Sequence, residues 1–189
     1  MSSGTPDTFK LPLSFDAARL RSDLARVEPA EWVPHFNTRY YEGAWSAAAL
    51  RSVGGSATQI YPDPAAQAPY ADTPILARCD HIRDALTSFR CPLLSARLLK
   101  LAAGSRIREH RDYNLGYEDG EVRIHVPVAT SDDAEFYLGG RRVLMREGES
   151  WYLNFNLPHR VENNGATDRV HLVVDCVVND WLRSQLAFD

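Results

Sequence analysis

The sequence has few of the residues that mark several large classes of protein. Its only lysines are Lys10 and Lys100, and with a formal net charge of -4 nothing favours a polyanionic partner such as nucleic acid. The cysteines Cys79, Cys91 and Cys176 are unevenly spaced and form no Cys-x-x-Cys pair. Such spacing is typical of reduced thiols rather than of a disulfide framework or a zinc site. We therefore expect a cytoplasmic protein without a nucleic-acid partner.

Long hydrophobic runs are also missing. No segment approaches the roughly 18 consecutive apolar residues of a transmembrane helix. The N-terminal stretch "MSSGTPDTFK" lacks both the basic and the apolar part of a signal peptide, so we expect no membrane association. The length of 189 residues predicts a single domain, 1–189, and base rates favour a monomer or a homodimer.

The N-terminal half combines helical and irregular patterns. Segment 14–27 repeats apolar residues at helical spacing, with Ser14 or Asp16 placed to cap it, and a second helix is predicted from about 77 to 89. Residues 1–10 are predicted to be flexible, and 11–90 to form a mixed helical and irregular support for the C-terminal half.

From residue 91 to 178 the pattern changes to eight short alternating or β-branched runs. Glycine-containing turns separate them, as at "GG" before "RRVLM" and "NNG" after "HRVE". A series of short strands with turn signals is typical of closed or two-layered β structures. The sequence therefore predicts a mainly β protein, a double-stranded β-helix (the jelly roll, or cupin-like fold) with flanking α-helices.

Three residues have the spacing and the predicted strand positions of a metal site. His110 and Asp112 stand two apart where the second predicted strand ends, and His159 opens the seventh. The second and seventh strands of a jelly roll lie close together, so these side chains should converge. Two imidazoles and one carboxylate form the facial triad of non-haem Fe(II) oxygenases, which leaves positions open for a co-substrate and O2. We predict that His110, Asp112 and His159 bind iron and form the catalytic centre.

An arginine is available to bind an anionic co-substrate. Arg169 follows His159 by ten residues and opens the last predicted strand. A keto acid that chelates iron needs a counter-charge for its far carboxylate, and a guanidinium supplies a bidentate one. In "RIHVP", Arg123 and His125 share one strand face, which suggests a polar interior around an anion.

Four segments together resemble a known family. The motifs "EHRDYN", "VRIHVPV", "EGESWYLNFNLPH" and "DRVHLVVD" occur in the order found in the aspartyl/asparaginyl β-hydroxylase family of Fe(II)/2-oxoglutarate dioxygenases. That family includes bacterial hydroxylases of free amino acids such as proline. The resemblance spans roughly residues 45–178, and "AWSAAALRSVGG" looks like the family's strand that precedes the barrel.

The resemblance implies an enzyme and a set of roles. His110 and His159 would bind Fe(II), Arg169 would anchor the C5 carboxylate of 2-oxoglutarate, and Arg123 and His125 would contact this co-substrate. O2 would be consumed and succinate and CO2 released as a carbon of a free amino acid or a small amino-acid or peptide substrate is hydroxylated. Asp112 is typical of the bacterial branch, since the animal enzymes carry glycine there.

Other positions are harder to assign. Leu99 stands where the animal enzymes carry a serine that binds the co-substrate, so that contact is not predicted here. Substrate contacts are predicted among polar and aromatic residues near the expected mouth, namely Asn114, Arg51, Asn154 and Trp151. The polar stretch 113–120 is predicted to form a flexible lip over the iron site.

Two alternatives remain open from the sequence. In a metal-dependent cupin that does not use 2-oxoglutarate, an isomerase or a dioxygenase, "PHRVEN" would serve as the second cupin motif. The first motif, however, lacks the His-x-His that cupins usually have, and the two arginines would have no role. The other alternative is a non-enzymatic jelly roll that binds a ligand, which failure to bind iron would favour.

Overall fold

The computed structural model describes residues 5–63, 65 and 67–186. Within these residues there are three α-helices: α1 (Ala17–Leu24), α2 (Asp80–Thr87) and α3 (Asp180–Gln185). The same residues form thirteen strands: β1 (Thr8–Ser14), β2 (Val33–Pro34), β3 (Tyr41–Glu42), β4 (Trp45–Val53), β5 (Tyr70–Asp72), β6 (Leu93–Leu101), β7 (Arg106–His110), β8 (Glu121–Ala129), β9 (Ala134–Leu138), β10 (Arg141–Val143), β11 (Glu149–Leu153), β12 (His159–Asn163) and β13 (Arg169–Val177).

The strands form two sheets. The larger sheet has the order β1-β11-β8-β13-β6-β4-β2, with β5 paired to β4, and the smaller has the order β10-β9-β12-β7-β3. The eight strands predicted between residues 91 and 178 are all present as β6 to β13. This mainly β structure with three flanking helices confirms the predicted double-stranded β-helix.

The two faces of the larger sheet have different chemistry because side chains alternate along a strand. On β8, Val122, Ile124 and Val126 are fully buried in a cluster that also contains residues of α1 and α2. Arg123 and His125 lie between them on the other face, and both are also buried. Each fully buried aliphatic side chain contributes about 1.5–3 kcal/mol to stability. The outer face is therefore apolar on β8, whereas the inner face combines buried polar groups with a second apolar cluster that includes Leu101 and Leu153.

Both predicted helices are present but shorter. In α1 the Asp16 carboxylate accepts hydrogen bonds from the N–H groups of Ala18 and Arg19, which identifies Asp16 as the cap. Ser14 belongs to β1 instead. A 3-10 turn, Leu76–Arg78, precedes α2 and takes up the first part of the predicted second helix.

The prediction of a flexible segment 1–10 is wrong for its last part. Residues 8–10 belong to β1, which pairs with β11 through Phe9 and Tyr152, and Lys10 forms an ion pair with Glu149. The alternating apolar residues of "TFKLPLS" are the signal for this strand, and Pro12 within it obscured the pattern. Residues 1–4 lie outside the described residues.

The predicted division at residue 91 does not separate two structural parts. Strand β4 pairs with β6 from Trp45↔Leu101 to Arg51↔Ala96, so segment 11–90 contributes strands to the larger sheet. No helix in the described part of the chain has the length and apolar character needed to cross a membrane.

The pairing of β7 with β12 is the feature that determines the site. His159 lies directly opposite His110 in this antiparallel pair, so both side chains emerge on the same face. Immediately after β7, the backbone N–H of Asp112 donates to the carbonyl of Phe155 at 3.0 Å. The second and seventh core strands thus meet as predicted, and Asp112 is held beside them.

Candidate metal centre

The structure brings together the three residues that the sequence predicted as metal ligands. One ligand atom of each of His110, Asp112 and His159 lies within 4.8 Å of the other two. Nε2 of His110 is 3.9 Å from Oδ1 of Asp112, and the two imidazole rings have their centroids 4.2 Å apart. Two imidazole nitrogens and one carboxylate oxygen therefore face one point.

Backbone carbonyls orient both imidazoles. Nδ1 of His110 lies 2.8 Å from the carbonyl oxygen of Arg108, and Nδ1 of His159 lies 3.0 Å from that of Leu157. A carbonyl can only accept, so each Nδ1 donates and the lone pair is on Nε2. Hydrogen bonding of the second ring nitrogen is the usual way in which proteins orient a metal-binding histidine.

Charge and burial place the ligands in protonation states that suit a cation. Burial, with a further effect from His110, lowers the pKa of His159 to about 4, so this imidazole is neutral at pH 7. For Asp112, burial acts to raise the pKa, but the positive charge of Arg123 and the neighbouring histidines outweighs it and the pKa is lowered. The site therefore offers a neutral imidazole and a carboxylate.

A buried ionic network extends from the metal centre into the barrel. Nη1 of Arg123 donates to Oδ2 of Asp112 at 2.5 Å, and its Nε donates to Oδ1 of Asp175 at 2.6 Å. Arg97 reaches Oδ2 of Asp175 at 2.9 Å, and Ser95 Oγ donates to the same oxygen at 2.8 Å. Burial acts to raise the pKa of Asp175, but the two guanidinium groups outweigh it and lower the pKa well below its ordinary value. Two arginines and two aspartates balance each other in charge.

Sequence reasoning missed part of this network. Ser95, Arg97 and Asp175 are polar residues inside the otherwise apolar runs "LSARLLKL" and "VHLVVDCVV". Polar groups buried in such strands need hydrogen-bond partners, so polar residues inside these runs were the sequence signal for a buried network. The structure adds a second role to the one predicted for Arg123. All three of its side-chain nitrogens contact carboxylates of Asp112 and Asp175, so it holds the proposed ligand Asp112, and its contact with a co-substrate stays a prediction.

Arg169 is buried without a carboxylate partner among the described residues. Its Nη2 lies 3.1 Å from Nδ1 of His171. The neighbouring acids are engaged elsewhere, since Glu162 pairs with Arg160 and Asp168 accepts from a backbone N–H. Burial lowers the pKa of Arg169 to about 9, which leaves it protonated at pH 7. A buried, unpaired guanidinium is costly, and an anion that bonds to it offsets that cost.

His125 has an unused nitrogen facing the interior. Arg169 can only donate, so Nδ1 of His171 accepts, and Nδ1 of His125 at 3.2 Å is placed to donate to the same atom. Nε2 of His125 is buried and has no partner among the described residues. Its ring lies 5.1 Å from that of Phe155, and burial, with the charge of Arg169, keeps its pKa well below the usual value. This neutral imidazole therefore presents a free polar atom to a ligand or water.

Arg51 differs from its prediction as a substrate contact. Its guanidinium donates to the carbonyls of Leu93 and Tyr70 and to the carboxylate of Asp72. These bonds use all three nitrogens to connect β4 with its neighbours β5 and β6. We therefore assign Arg51 a structural role and leave it out of the proposed site.

The other three predicted substrate contacts have different positions. Trp151 is partly buried and its Nε1 donates to Glu149 at 2.9 Å, so its polar atom is already used. Oδ1 of Asn154 accepts from the backbone N–H of Asn156 at 3.2 Å, within the turn between β11 and β12. Asn114 is exposed and has a left-handed backbone (φ 60°), two residues beyond Asp112. Of the predicted substrate contacts, Asn114 is thus the one that lies exposed at the predicted lip.

Comparison with known proteins agrees with this geometry. An L-proline cis-4-hydroxylase from Rhizobium meliloti (strain 1021) is 28% identical over 168 residues. The match covers 86% of this chain but 58% of that protein, so this chain spans little more than half of its relative.

Solved structures share the fold. A Pseudomonas putida prolyl-4-hydroxylase superimposes with a TM-score of 0.58 at 15% identity, over 93% of this chain and 94% of that one. HygX from Streptomyces hygroscopicus, solved with nickel and 2-oxoglutarate bound, gives a TM-score of 0.55 at 15% identity, over 93% and 84% of the two chains. At such identities the similarity shows the fold alone.

A family model gives stronger evidence for the family than these pairwise similarities do. The model for aspartyl/asparaginyl beta-hydroxylases matches residues 14–178, which include every element from α1 to β13. The chain therefore belongs to the aspartyl/asparaginyl beta-hydroxylase family, as its four motifs had predicted.

Proposed function

We propose that this protein is an Fe(II)- and 2-oxoglutarate-dependent dioxygenase that hydroxylates an unactivated carbon of a free amino acid or a small amino-acid or peptide substrate. The observation that supports it most is the buried Arg169, a cation without a carboxylate partner among the described residues, in the same barrel as a His-Asp-His cluster. The related proline hydroxylase from Rhizobium meliloti and the 2-oxoglutarate bound to HygX agree with this choice.

The donor atoms fit a ferrous ion. Two imidazole nitrogens and one carboxylate oxygen are the ligands of non-haem Fe(II) oxygenases. Oδ2 of Asp112 is held by Arg123, which leaves Oδ1 on the side of His110 to bind a metal through a single oxygen. When bound, the iron supplies the activation of O2 and the oxidative decarboxylation of 2-oxoglutarate to succinate and CO2.

The protein's own side chains bind and orient the co-substrate. The planar guanidinium of Arg169 matches the far carboxylate of a five-carbon keto acid and remains charged at pH 7. The ring of Phe136 lies 5.9 Å from the Arg169 guanidinium carbon and, with Phe155, forms an apolar wall that excludes water. Low local polarity strengthens the ion pair that forms there. The role of His125 in contacting the co-substrate stays a prediction. With its proton on Nδ1, the unpartnered Nε2 accepts, so a water would have to link it to a co-substrate oxygen.

Anaerobic titration tests the proposal directly. Addition of Fe(II) and then 2-oxoglutarate to the protein is expected to produce a visible metal-to-ligand charge-transfer band, because a chelated keto acid accepts electron density from iron. The same titration with succinate, which lacks the keto group, is the control and should give no band. Absence of the band at saturating iron would overturn the dioxygenase proposal, and failure of the folded protein to bind iron at all would favour the ligand-binding jelly roll.

Replacement of Arg169 by glutamine separates this proposal from the metal-dependent cupin. We expect KM for 2-oxoglutarate to rise by at least about 30-fold, since loss of one partner of a buried ion pair costs roughly 2–5 kcal/mol. Iron binding should persist because Arg169 contacts none of the three proposed ligands directly. Steady-state succinate release measures the effect.

The matched control for this variant is Arg160→Gln. It removes an arginine from a partly exposed pair with Glu162 on β12 and should change KM by less than about twofold. If Arg169→Gln turned over 2-oxoglutarate as well as Arg160→Gln does, Arg169 would not be the anchor of the co-substrate. If iron bound but neither the unchanged protein nor Arg160→Gln turned over 2-oxoglutarate, the cupin alternative would replace the dioxygenase.

Four further properties of the protein stay predictions. They are a single domain over 1–189, a cytoplasmic location, a monomer or homodimer, and the lack of nucleic-acid and membrane partners.

A further inference from the structure

The buried Arg169 is held by a neutral hydrogen-bond acceptor instead of an acid. Its Nη2 donates to Nδ1 of His171 at 3.1 Å, and the exposed fractions of the two residues are only 4% and 1%. A guanidinium has several N–H donors, and His171 accepts from one of them. No carboxylate in the described part of the chain pairs with Arg169, so its positive charge is left for a ligand.

The position of His171 in the larger sheet explains why it contacts Arg169. His171 lies on β13 directly opposite Pro127 of β8 on one side and Leu99 of β6 on the other, and neither has a polar side-chain atom. Side chains two residues apart along a strand share one face. Nδ1 of His171 therefore meets Arg169, two residues before it on β13, and His125, two residues before Pro127 on β8.

One nitrogen of His171 accepts from both of these neighbours. Nδ1 of His125 lies 3.2 Å from it, in addition to the Arg169 guanidinium. Because the atom that faces two donors has to carry a lone pair, the His171 ring is neutral with its proton on Nε2. Burial, with the charge of Arg169, lowers the pKa of His171 well below its ordinary value, which agrees with a neutral ring at pH 7.

The two groups that His171 holds lie beside the metal centre. The ring of Phe136 is 5.9 Å from the guanidinium carbon of Arg169 and 6.1 Å from the ring of His125. The same ring stacks on the proposed ligand His159 with centroids 6.4 Å apart. One aromatic residue thus separates the metal centre from both groups, and a change in their orientation affects the space that a chelated keto acid would occupy.

The lack of charge on His171 is its important property. A carboxylate in its place would form a buried ion pair with Arg169 and would compete with the far carboxylate of a keto acid for the same guanidinium. An apolar residue would leave the charge available but would not fix the guanidinium, and a group that is not held in its binding geometry binds more weakly. A neutral acceptor orients the cation without neutralising it.

Building on the proposed function, we propose that His171 is a positioning residue for 2-oxoglutarate. Its neutral Nδ1 orients the Arg169 guanidinium toward the far carboxylate of the co-substrate and keeps the proton of His125 on Nδ1. His171 acts through these two residues and touches neither the metal nor the reacting atoms. Its loss therefore weakens binding of the co-substrate and leaves the chemical step intact.

Three substitutions separate acceptor from charge. His171→Asn keeps a neutral acceptor, His171→Asp has the same shape but carries a negative charge, and His171→Leu has no acceptor. The Kd for 2-oxoglutarate is measured by anaerobic titration of the Fe(II)-loaded protein, followed by the charge-transfer band. Succinate release gives KM and kcat.

We expect a graded effect on co-substrate binding. The Kd and KM for 2-oxoglutarate should stay within about threefold in His171→Asn, rise by about tenfold in His171→Leu, and rise by at least about 30-fold in His171→Asp. Affinity for Fe(II), and kcat at saturating 2-oxoglutarate, should change by less than about threefold in all three variants, because His171 makes no hydrogen bond to a proposed metal ligand. Circular dichroism shows whether each variant is folded, and the comparison of His171→Asn with His171→Asp decides alone if His171→Leu is not.

Leu172→Val is the matched control for damage to the strand. Leu172 is fully buried on the opposite face of β13, so its shortening should lower the melting temperature without changing the Kd for 2-oxoglutarate. The inference is overturned if His171→Asp binds 2-oxoglutarate as tightly as His171→Asn, if folded His171→Leu binds it as tightly as the unchanged protein, or if kcat falls while Kd stays the same.

These outcomes are distinct from failure of the proposed function. If the Fe(II)–2-oxoglutarate band does not form in the unchanged protein, the dioxygenase proposal fails, and the role of His171 fails with it. If the band forms but the variants give one of the overturning results, only the inference about His171 is wrong.

Discussion

Replacement of His110 by alanine should abolish both iron binding and 2-oxoglutarate turnover. The residue supplies one of three proposed metal ligands, and no other His, Cys, Asp or Glu of the described residues belongs to this cluster to take its place. We expect succinate release to fall by more than about a thousandfold, because the chemistry depends on a bound metal. The anaerobic charge-transfer band should disappear in the same variant.

His81→Ala is the matched control for this experiment. His81 lies on α2, on the outer face of the larger sheet, and its loss should leave both the band and the turnover unchanged. Circular dichroism and thermal unfolding of both variants would show that the fold is retained. Iron-dependent turnover by His110→Ala at more than a few per cent of the normal rate would contradict the assigned ligand set.

Asp175→Asn is expected to cause the largest loss of stability. The Asp175 carboxylate bonds to Arg97, Arg123 and Ser95, and all four residues are buried. Removal of its charge leaves two buried guanidinium groups with only Asp112 as an anionic partner. Breaking a buried ion pair from one side costs about 3–5 kcal/mol, which corresponds to a melting temperature lower by roughly 10 °C for a protein of this size.

A second variant distinguishes loss of charge balance from general damage. In Arg97→Met with Asp175→Asn, one cation is removed together with the anion, so the double variant should be more stable than Asp175→Asn alone. Thermal and urea unfolding measure the stability of the single and the double variant. Asp168→Asn, on the turn before β13, is the surface control and should change the free energy of unfolding by less than about 0.5 kcal/mol. A double variant no more stable than the single one would show that charge balance is not the cause.

The core strands and the proposed ligands could be predicted because their signals are local. Alternating apolar residues mark β6 to β13, and the His-x-Asp pair and His159 stand at strand ends where a jelly roll brings them together. Strand β1 was missed for the opposite reason, since it is short, contains Pro12 and pairs with β11, almost 140 residues away. Nothing near it in the sequence identifies that partner.

The ionic network depends on contacts that no local pattern contains. Asp175 on β13 meets Arg123 because β13 and β8 pair in one particular register. Arg97 on β6 reaches Asp175 because β6 pairs with β13 on its other side. The same limitation explains Arg51. The sequence suggested that it was free to contact a substrate, but in the structure it donates to the carbonyl of Tyr70 and the carboxylate of Asp72 on β5.

The direct opposition of His110 and His159 has a consequence for how this protein can diverge. Because side chains alternate along a strand, insertion or deletion of one residue in β7 or β12 would turn one imidazole to the opposite face and destroy the site. Changes in length are therefore restricted to the connections, foremost the stretch from Tyr113 to Gly120 that follows Asp112. Relatives can acquire new substrates by lengthening or shortening these connections while the strands that carry His110 and His159 keep a constant length.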